Sequence, residues 1–304
     1  MSDSRPTLAV IVVNYGSHEL LEQNLRPVGE TEPAPVVVVV DNLTSAVERR
    51  AVADQAATYG WALVEPTENL GFGAGMNAGV ARGIELGADA FLLLNPDATI
   101  DPASIDVLLT RVTDEPMTLA APVITTPDGE IWSAGVDLHL ESGQMRGVAR
   151  RPPGARVMFW LSGACLMVSR TLWERLDGFA EGYFLYWEDV DLSRRVVDAG
   201  GTLAVDPGAR AVHDQGGTQQ TGHGRGRSAT YYYYNTRNRL LYAARHLDAP
   251  DRRRWAGTVG PAAWEILMRG GRRQLLRPRG PVGAVLRGTA DGLRLMRSET
   301  PRRT

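Results

Sequence analysis

The sequence predicts an α/β fold with a mostly parallel sheet flanked by helices. Short apolar runs rich in Val, Ile and Leu recur through the first hundred residues, and helix-compatible segments separate them. An unbroken apolar run is typical of a strand that is buried on both faces. Strands that alternate with helices favour parallel pairing in one sheet that is covered by helices on both sides.

The predicted strands are the apolar runs themselves. In chain order they are LAVIVVN (8–14), PVVVVVDN (35–42), the weaker WALVEP (61–66), AFLLLNPD (90–97) and VMFWLSGACLMVSR (157–170). Residues 121–140 resemble strand and turn. The following stretch at 141–156, ESGQMRGVARRPPGAR, is rich in Gly, Pro and Arg, and we expect an exposed, mobile loop there.

Helices are predicted between the strands. They cover segments 17–25, 47–59, 76–86, 101–112 and 170–176. The fourth segment has a clear start, because Asp101 precedes Pro102, which suits the first helical position. The stretch EDVDLSRRVVDAGG predicts an amphipathic helix that ends at the glycine pair 200–201. From Ser228 onward the chain is predicted to be helical.

Charge divides the chain into two regions. Residues 1–220 hold 15 arginines against 30 acidic residues, whereas residues 221–304 hold 18 arginines against 5. We therefore predict an α/β catalytic domain at 1–220 and a basic, Arg-rich helical extension at 221–304. The extension is a candidate for contacting phosphates, the anionic inner face of the cell membrane, or the acidic domain within the chain or in a homodimer. No recognition motif accompanies the charge, so nucleic-acid binding is not expected.

Two residue counts exclude whole classes of chemistry. The chain has no lysine, which rules out a lysine Schiff base and a P-loop lysine. Its one cysteine, Cys165, excludes an internal disulfide and a cysteine-rich zinc site, and it lies in an apolar run typical of a core. No basic-then-apolar leader opens the sequence, and no apolar stretch reaches the roughly 20 residues of a membrane span, so we expect a cytoplasmic protein.

The glycine run GFGAGMNAG at 71–79 invites a dinucleotide-binding interpretation. Residues 73–78 fit G-x-G-x-x-G/A, and Asp97 follows at about the spacing of a ribose-binding acid. A dinucleotide fold, however, places its glycines directly after a strand, usually the first. Here the first strand ends in Asn14 and Tyr15, and Pro66 with Glu68 separates the weak third strand from the glycines. An NAD(P)-dependent oxidoreductase is therefore only an alternative.

A set of seven motifs favours another interpretation. In chain order they are VVNYG, VVVVDN, ENLGFGAGMNAG, LLLNPD, GACLMVSR, GYFLYWEDVDLSRR and VHDQGGT. In this order they resemble the family 2 inverting glycosyltransferases of GT-A fold, and within them the rhamnosyltransferase-like branch. The resemblance covers roughly residues 7–218 and continues weakly into YYYYNTRNRLL. The family's acidic D-x-D pair is here Asn95-Pro96-Asp97, with one carboxylate.

The resemblance implies a role for particular residues. Asp189, with Glu188 beside it, would be the catalytic base that takes a proton from the acceptor hydroxyl. Asp97 and His213 would bind a divalent cation, Mg²⁺ or Mn²⁺, at the donor diphosphate. The nucleotide sugar would be contacted by residues at the ends of the strands and in the glycine run, namely Asn14, Tyr15, Asp41, Asn69, Gly71, Gly73, Asn77, Asn95 and Asp97. Trp187 and Arg237 are candidates for contacting phosphate or acceptor.

The implied activity is transfer of a sugar from a nucleotide-sugar donor, dTDP-L-rhamnose or a UDP-sugar. The acceptor would be a hydroxyl of a cell-envelope saccharide, a lipid-linked glycan or a small natural product, as in cell-wall or polysaccharide biosynthesis. A non-catalytic nucleotide-sugar-binding protein on the same fold is the second alternative.

Overall fold

The computed structural model describes residues 6–214, 227–272, 275 and 278–299. These residues form two compact units. The N-terminal unit comprises Met1–Val136, Trp160–Phe184 and Glu188–Thr218, and the C-terminal unit comprises Asp137–Phe159, Leu185–Trp187 and Gln219–Thr304. The C-terminal unit thus takes two short segments from the preceding part of the chain. The predicted boundary at residue 220 lies outside the described residues.

The N-terminal unit is built on a mixed sheet of nine strands. Its strands are β1 (Leu8–Asn14), β2 (Val36–Asp41), β3 (Ala62–Val64), β4 (Ala90–Leu94), β5 (Ala98–Ile100), β6 (Thr118–Thr125), β7 (Ile131–Ser133), β11 (Cys165–Ser169) and β12 (Thr202–His213). The order is β3-β2-β1-β4-β11-β6-β12-β5, with β7 on β6. The first four strands of this order are parallel, as predicted, whereas β11 runs antiparallel to both of its neighbours.

Helices cover this sheet in the pattern that the sequence predicts. They are α1 (His18–Leu25), α2 (Ala46–Tyr59), α3 (Phe72–Glu85), α4 (Pro102–Asp114), α5 (Arg170–Leu176) and α6 (Glu188–Asp198). Asp101 caps α4 by accepting a hydrogen bond from the Ser104 N–H. Buried β1 and β4 side chains, including Val10 and Leu92, form the core with the inner faces of the helices. Cys165 is buried there, and burial raises the pKa of its thiol to about 12.

Helix α3 begins four residues earlier than the predicted Met76. Its glycines explain the difference, because they face β1 at very short range. A Cβ added at Gly79 would lie 2.4 Å from Ile11 Cγ2, and one at Gly75 would lie 3.0 Å from Val13 Cγ2. The glycines lower the intrinsic helix propensity, but close packing against the sheet offsets that cost.

The C-terminal unit contains a small sheet of order β10-β8-β9, formed by β8 (Val136–His139), β9 (Met145–Gly147) and β10 (Val157–Trp160). The expected loop at 141–156 therefore contains a strand and a 3₁₀ turn, Val148–Arg150. Long-range partners order it: Arg151 donates two hydrogen bonds, of 2.7 and 2.6 Å, to the buried Asp137 carboxylate. The pairing of Arg151 with Asp137 cannot be predicted from sequence composition.

The rest of the C-terminal unit is helical, as predicted. Its helices are α7 (Ala229–His246), α8 (Ala249–Gly257), α9 (Val259–Met268) and α10 (Gly283–Ser298). Helix α10 packs tightly on α7 through Gly288 and Gly292; a Cβ at Gly288 would lie 2.3 Å from the Thr236 Oγ1. Tyr231 and Tyr232 are buried against α9 and α10, so the tyrosine run is part of a core. Within the described residues, no helix has the length and apolar character that crossing a membrane requires.

Candidate active site

The carboxyl ends of β1, β2 and β4 bring the predicted polar residues to one edge of the sheet. Asn14 and Asp41 are paired in register at the ends of β1 and β2, and Asn95 to Asp97 follow β4 directly. This edge is where open α/β sheets bind their ligands. The topology therefore brings strand-end residues of three motifs to the same edge of the sheet.

Asp41 presents an unused acceptor atom at this edge. Its Oδ2 accepts a 2.8 Å hydrogen bond from Arg49 Nε, and the carboxylate is buried. Its Oδ1 is also buried and has no hydrogen-bond partner among the residues that the structure describes. A buried acceptor without a donor costs free energy, so a ligand N–H or O–H at Oδ1 would be favoured.

Asn14 supports the neighbouring loop. Its side chain donates to Glu48 Oε1 at 3.0 Å and accepts from the Ser17 N–H at 3.1 Å. Burial raises the pKa of Glu48, but hydrogen bonds from Asn14 and His18 outweigh it, and the net shift is downward. Tyr15, in contrast, is 54% exposed. Of these two residues predicted to contact the nucleotide sugar, Tyr15 is the accessible one.

The glycine run forms a turn whose backbone is fixed by side chains. Gly71 has φ of +81°, and a Cβ there would lie 2.2 Å from the Phe184 carbonyl oxygen, so only glycine fits. Asn69 Oδ1 accepts from the Gly71 N–H, while Asn42 Nδ2 donates to the Gly71 carbonyl. Asn42 was not among the predicted site residues, although it directly follows Asp41.

Two other predicted donor contacts have partners within the protein. Asn77 Nδ2 donates to the Phe179 carbonyl at 2.9 Å, and its Oδ1 accepts from the Phe179 N–H at 2.8 Å. Gly73 packs against the same residue, because a Cβ there would lie 3.1 Å from Phe179 Cβ. Both residues therefore hold the loop that leads to Glu188, and their contact with a donor stays a prediction.

Asp97 and His213 lie together, as the resemblance implies. His213 Nε2 is 3.0 Å from Asp97 Oδ1, both side chains are buried, and Asn95 Nδ2 is 3.5 Å from the same ring nitrogen. The 3.0 Å separation is a hydrogen-bond distance, and it also matches the roughly 3 Å between adjacent ligands of an octahedral cation with bonds of about 2.1 Å. Among the described residues, no group of three or more His, Cys, Asp or Glu forms a complete metal site.

Asp189 lies in the first turn of α6. Its Oδ2 accepts a 3.1 Å hydrogen bond from the Gly163 N–H, and its Oδ1 accepts a 2.9 Å bond from the Val190 N–H. Burial raises the pKa of Asp189 to about 6, and these N–H groups oppose the shift. Glu188 is more deeply buried, with Oε2 unpartnered within the described residues. Its pKa lies well above the usual range because of burial and the adjacent Asp189 charge.

The other charged residues of α6 are engaged in ion pairs. Asp191 is fully buried and accepts a 2.7 Å bond from Arg195 Nε. The same guanidinium donates to the carbonyls of Leu176 and Gly178. Arg194 pairs with Asp198. Asp191 therefore pairs with Arg195 on the same helix, which leaves Asp189 as the α6 carboxylate that reaches Gly163.

A short hydrogen-bonded path connects the two carboxylates of the site. Gly163 donates to Asp189, and the carbonyl of the next residue, Ala164, accepts a 2.9 Å bond from the Asn95 N–H. Asn95 lies two residues before Asp97. Asp189 and Asp97 are thus linked through two backbone segments that are hydrogen-bonded to each other. Gly163, the first residue of the GACLMVSR motif, is central to this link, although no individual role was predicted for it.

Trp187 and Arg237 belong to the C-terminal unit. Trp187 is buried between the rings of Tyr242 and Trp255, with centroids 5.6 and 6.3 Å away. Arg237 Nη1 donates to Asn238 Oδ1. Tyr186 and Trp187 have φ of +65° and +73°, which L-residues rarely adopt. Asn238 Nδ2 supports this turn by donating to the carbonyls of Leu185 and Tyr186, each at 2.9 Å.

Comparison with known proteins identifies the family. The model of "Glycosyltransferase like family 2" matches residues 6–243. The chain is 31% identical over 233 residues to an N-acetylglucosaminyl-diphospho-decaprenol L-rhamnosyltransferase of Mycobacterium tuberculosis, covering 68% of this chain and 75% of that protein. It is 27% identical over 245 residues to the low-salt glycan biosynthesis hexosyltransferase Agl10 of Haloferax volcanii, covering 77% and 74%.

Solved structures show the same fold at lower identity. The mannosyltransferase PcManGT from Pyrobaculum calidifontis, in complex with GDP-Man and Mn²⁺, superposes with a TM-score of 0.57 at 18% identity, covering 97% of this chain and 86% of that one. GalNAc-T7 with UDP, GalNAc and Mn²⁺ gives a TM-score of 0.62 at 13% identity, covering 86% and 52%. Both are glycosyltransferases, which confirms the predicted GT-A fold.

The enzyme class follows from these matches, and the oxidoreductase alternative is set aside. The glycine run that suggested a dinucleotide belongs instead to the sheet edge that carries Asp41 and Asp97. The chain belongs to the family 2 glycosyltransferases and is a hexosyl-transferring enzyme of GT-A fold, similar to rhamnosyltransferases of glycan biosynthesis.

Proposed function

We propose that this enzyme moves a sugar from a nucleoside-diphosphate donor to an acceptor hydroxyl with inversion, using Asp189 as its base. The observation that carries the proposal is the position of the Asp189 carboxylate on the Gly163 N–H, one residue from the backbone that holds Asn95. In the reaction, the acceptor O–H proton passes to Asp189 as the acceptor oxygen bonds to the anomeric carbon. The bond from that carbon to the diphosphate oxygen breaks, and the nucleoside diphosphate leaves with the electron pair.

Dispersal of negative charge on the leaving diphosphate requires a counter-charge. A divalent cation, when bound, supplies it by Lewis-acid contact with phosphate oxygens. Asp97 and His213 would hold the cation, because a carboxylate oxygen and an imidazole nitrogen face each other at ligand spacing. Carboxylate and imidazole groups are among the protein ligands that such cations accept.

The donor is proposed to be dTDP-L-rhamnose, with a UDP-sugar as the alternative. Relatives named as rhamnosyltransferases support the sugar. The unpartnered Asp41 Oδ1 supports a pyrimidine whose ring N–H donates, as in both thymine and uracil. Tyr15, exposed next to the end of β1, offers a ring on which that base can stack.

The acceptor is proposed to be a lipid-linked saccharide, as the name of the mycobacterial relative suggests. Such an acceptor is held at the cytoplasmic membrane surface, and the Arg-rich C-terminal unit suits contact with anionic lipid. Trp264 on α9 and Leu286 on α10 are 56% and 64% exposed, and exposed apolar side chains beside arginines are typical of interfacial helices.

A donor screen tests the proposal. The protein is incubated with dTDP-rhamnose, UDP-glucose, UDP-N-acetylglucosamine or GDP-mannose, with Mn²⁺ or with EDTA. Release of nucleoside diphosphate is then measured with and without a prenyl-diphosphate-linked N-acetylglucosamine. Acceptor-stimulated release from dTDP-rhamnose that needs the cation is expected. Donor binding without release under any condition would favour the non-catalytic alternative instead.

A further inference from the structure

The C-terminal unit encloses a cavity of about 250 Å³ whose residues all belong to that unit. Segments 141–145, Trp187, α7, α8 and α9 line it. It is small beside the roughly 300–1,000 Å³ of sites that take up a whole drug-sized ligand. A cavity of this size suits one end of a larger ligand.

The most unusual residue of this cavity is Arg239. Only 3% of its surface is exposed, and its Nη2 donates to the Ser142 carbonyl at 3.0 Å. Its Nε and Nη1 have no hydrogen-bond partner in the part of the chain that the structure describes. No carboxylate of the described residues lies within ion-pair distance of it. A buried cation without a counter-ion is costly, which favours an anionic ligand.

The surroundings of Arg239 fix its guanidinium in one place. The Trp255 ring lies beneath it, with the guanidinium carbon 4.3 Å from the ring centroid. Gly143, with φ of +70°, lies against it, and a Cβ there would be 2.6 Å from Nη2. Burial lowers the pKa of Arg239 to about 10, so it remains a cation at neutral pH. The group is thus a pre-positioned, planar positive charge.

Two further arginines line the same cavity. Arg254 is held loosely by Asp251 at 3.3 Å, and Arg269 by Glu265 at 3.3 Å. The cavity also contains acidic groups, Glu265 and Glu141. Glu265 is occupied by Arg269 and by Gln144 Nε2 at 2.9 Å. Asp251 and Glu265 are thus each paired with another arginine, and Arg239 is the arginine of this cavity that has no carboxylate at ion-pair distance within the described residues.

From this geometry we infer that the cavity binds a phosphoryl group and that, in the enzyme, this group belongs to the diphosphate of a lipid-linked acceptor. Guanidinium groups match phosphate oxygens in shape and donate to two of them at once. The lipid assignment rests on the proposed function. Trp187, which lines the cavity, lies two residues before Asp189 in the chain.

Binding of two probes tests the inference on the full chain. Inorganic pyrophosphate and farnesyl diphosphate are titrated by calorimetry in EDTA with dTDP present at saturation. Arg239→Gln should weaken farnesyl diphosphate binding at least about tenfold, because a charged hydrogen-bond donor is lost. Arg239 is buried and its replacement can destabilise the fold, so Arg254→Gln serves as the second variant, with a several-fold loss expected. Arg253→Gln, one residue away and outside the cavity, is the matched control and should bind like the wild type.

Each result decides part of the inference. Wild-type affinity for both probes in Arg239→Gln and Arg254→Gln would overturn the phosphoryl site. Equal affinity of the wild type for pyrophosphate and farnesyl diphosphate would overturn the lipid assignment. An unchanged Kd for dTDP shows that each variant keeps its donor site. The titrations need no turnover, so an absence of glycosyl transfer would contradict the proposed function and leave the cavity to be judged by binding alone.

Discussion

Asp189 Oδ2 accepts a hydrogen bond from the backbone N–H of Gly163 at 3.1 Å. This contact joins the start of α6 to the turn before β11. The residue after Gly163 is Ala164, whose carbonyl accepts a hydrogen bond from the Asn95 N–H. Backbone N–H groups, those of Gly163 and Val190, hold the Asp189 carboxylate in place. Gly163 is also close-packed, because a Cβ there would lie 3.4 Å from Phe72 Cε1 and 3.5 Å from Asp189 Cβ. The position of Asp189 is thus determined by packing at three segments.

The pH dependence of transfer should report the pKa of Asp189. Burial raises that pKa to about 6, and a base must be deprotonated to act. The kcat/KM should therefore rise with pH up to about 6 and level off above it. Steady-state rates between pH 4.5 and 8.5, with folding checked by circular dichroism, measure this. A rate that stays constant down to pH 4.5 would remove Asp189 from the rate-determining proton transfer.

Asp189→Asn should abolish most transfer while donor binding survives. Loss of a positioned base costs about 10²–10⁴-fold in rate, whereas the donor is proposed to be held by Asp41 and Asp97. The matched control is Asp198→Asn, which removes a carboxylate from the same helix where it only pairs with Arg194. Single-turnover transfer and the Kd for dTDP-rhamnose are the two measurements. Near-normal turnover in a folded Asp189→Asn protein would contradict the assignment.

The same variant should change how stability depends on pH. A raised folded-state pKa means that the folded protein binds this proton more tightly than the unfolded chain, whose aspartate titrates near 3.9. That stabilisation is present in full below about pH 4 and is lost as pH rises through about 6. It amounts to at most about 3 kcal/mol, reduced by partial exposure. The amide of the variant cannot ionise, so the Tm of Asp189→Asn relative to the wild type should be higher at pH 8 than at pH 4.

Asp97→Asn and His213→Ala should each weaken cation-dependent donor binding. The two side chains are buried 3.0 Å apart at the end of β4 and β12, and replacing either removes one proposed ligand. The Kd for the donor in Mn²⁺ should rise at least about tenfold, as ligand or outer-shell losses commonly cause, while binding in EDTA stays the same. Asp89→Asn, at the opposite end of β4, is the control. Equal loss of binding with and without Mn²⁺ would argue that the pair is structural.

Most of the parallel sheet could be predicted, because unbroken apolar runs such as 35–42 are characteristic of strands buried on both faces. The site was predicted less completely. Asp97, Asp189 and His213 were proposed as site residues from motifs, whereas the contacts of Gly163 and Asn238 involve backbone groups and residues distant in sequence. Periodicity and composition carry no information about such pairings. The close packing of Gly75 and Gly79 on Val13 and Ile11 was not predicted either, because these partners are visible only in three dimensions.

We expect Asn238, a residue of α7, to affect the turnover number because it holds the turn that precedes α6. Its amide holds the carbonyls of Leu185 and Tyr186, and the φ values at Tyr186 and Trp187 are left-handed. Such backbone costs about 1–3 kcal/mol per residue and persists only where partners maintain it. Asn238→Ala should lower kcat severalfold with an unchanged donor Kd. Thr236→Val, which removes a hydroxyl bond within α7 only, is the control. An unchanged kcat would show that the turn is held without the amide.

The C-terminal unit should bring the protein to anionic vesicles. Arginine attraction to acidic lipid is screened by salt, whereas insertion of Trp264 and Leu286 is not, so flotation with phosphatidylglycerol vesicles should weaken but persist as salt rises. The double variant Trp264→Ala/Leu286→Ser should lose the salt-resistant part. Ile131→Ser, which removes a side chain of similar exposure, 67%, from the N-terminal unit, is the matched control. If the double variant floats as well as the wild type at every salt concentration, the prediction that these helices contact the membrane is wrong. The arginines would then bind the acceptor or stabilise the fold instead.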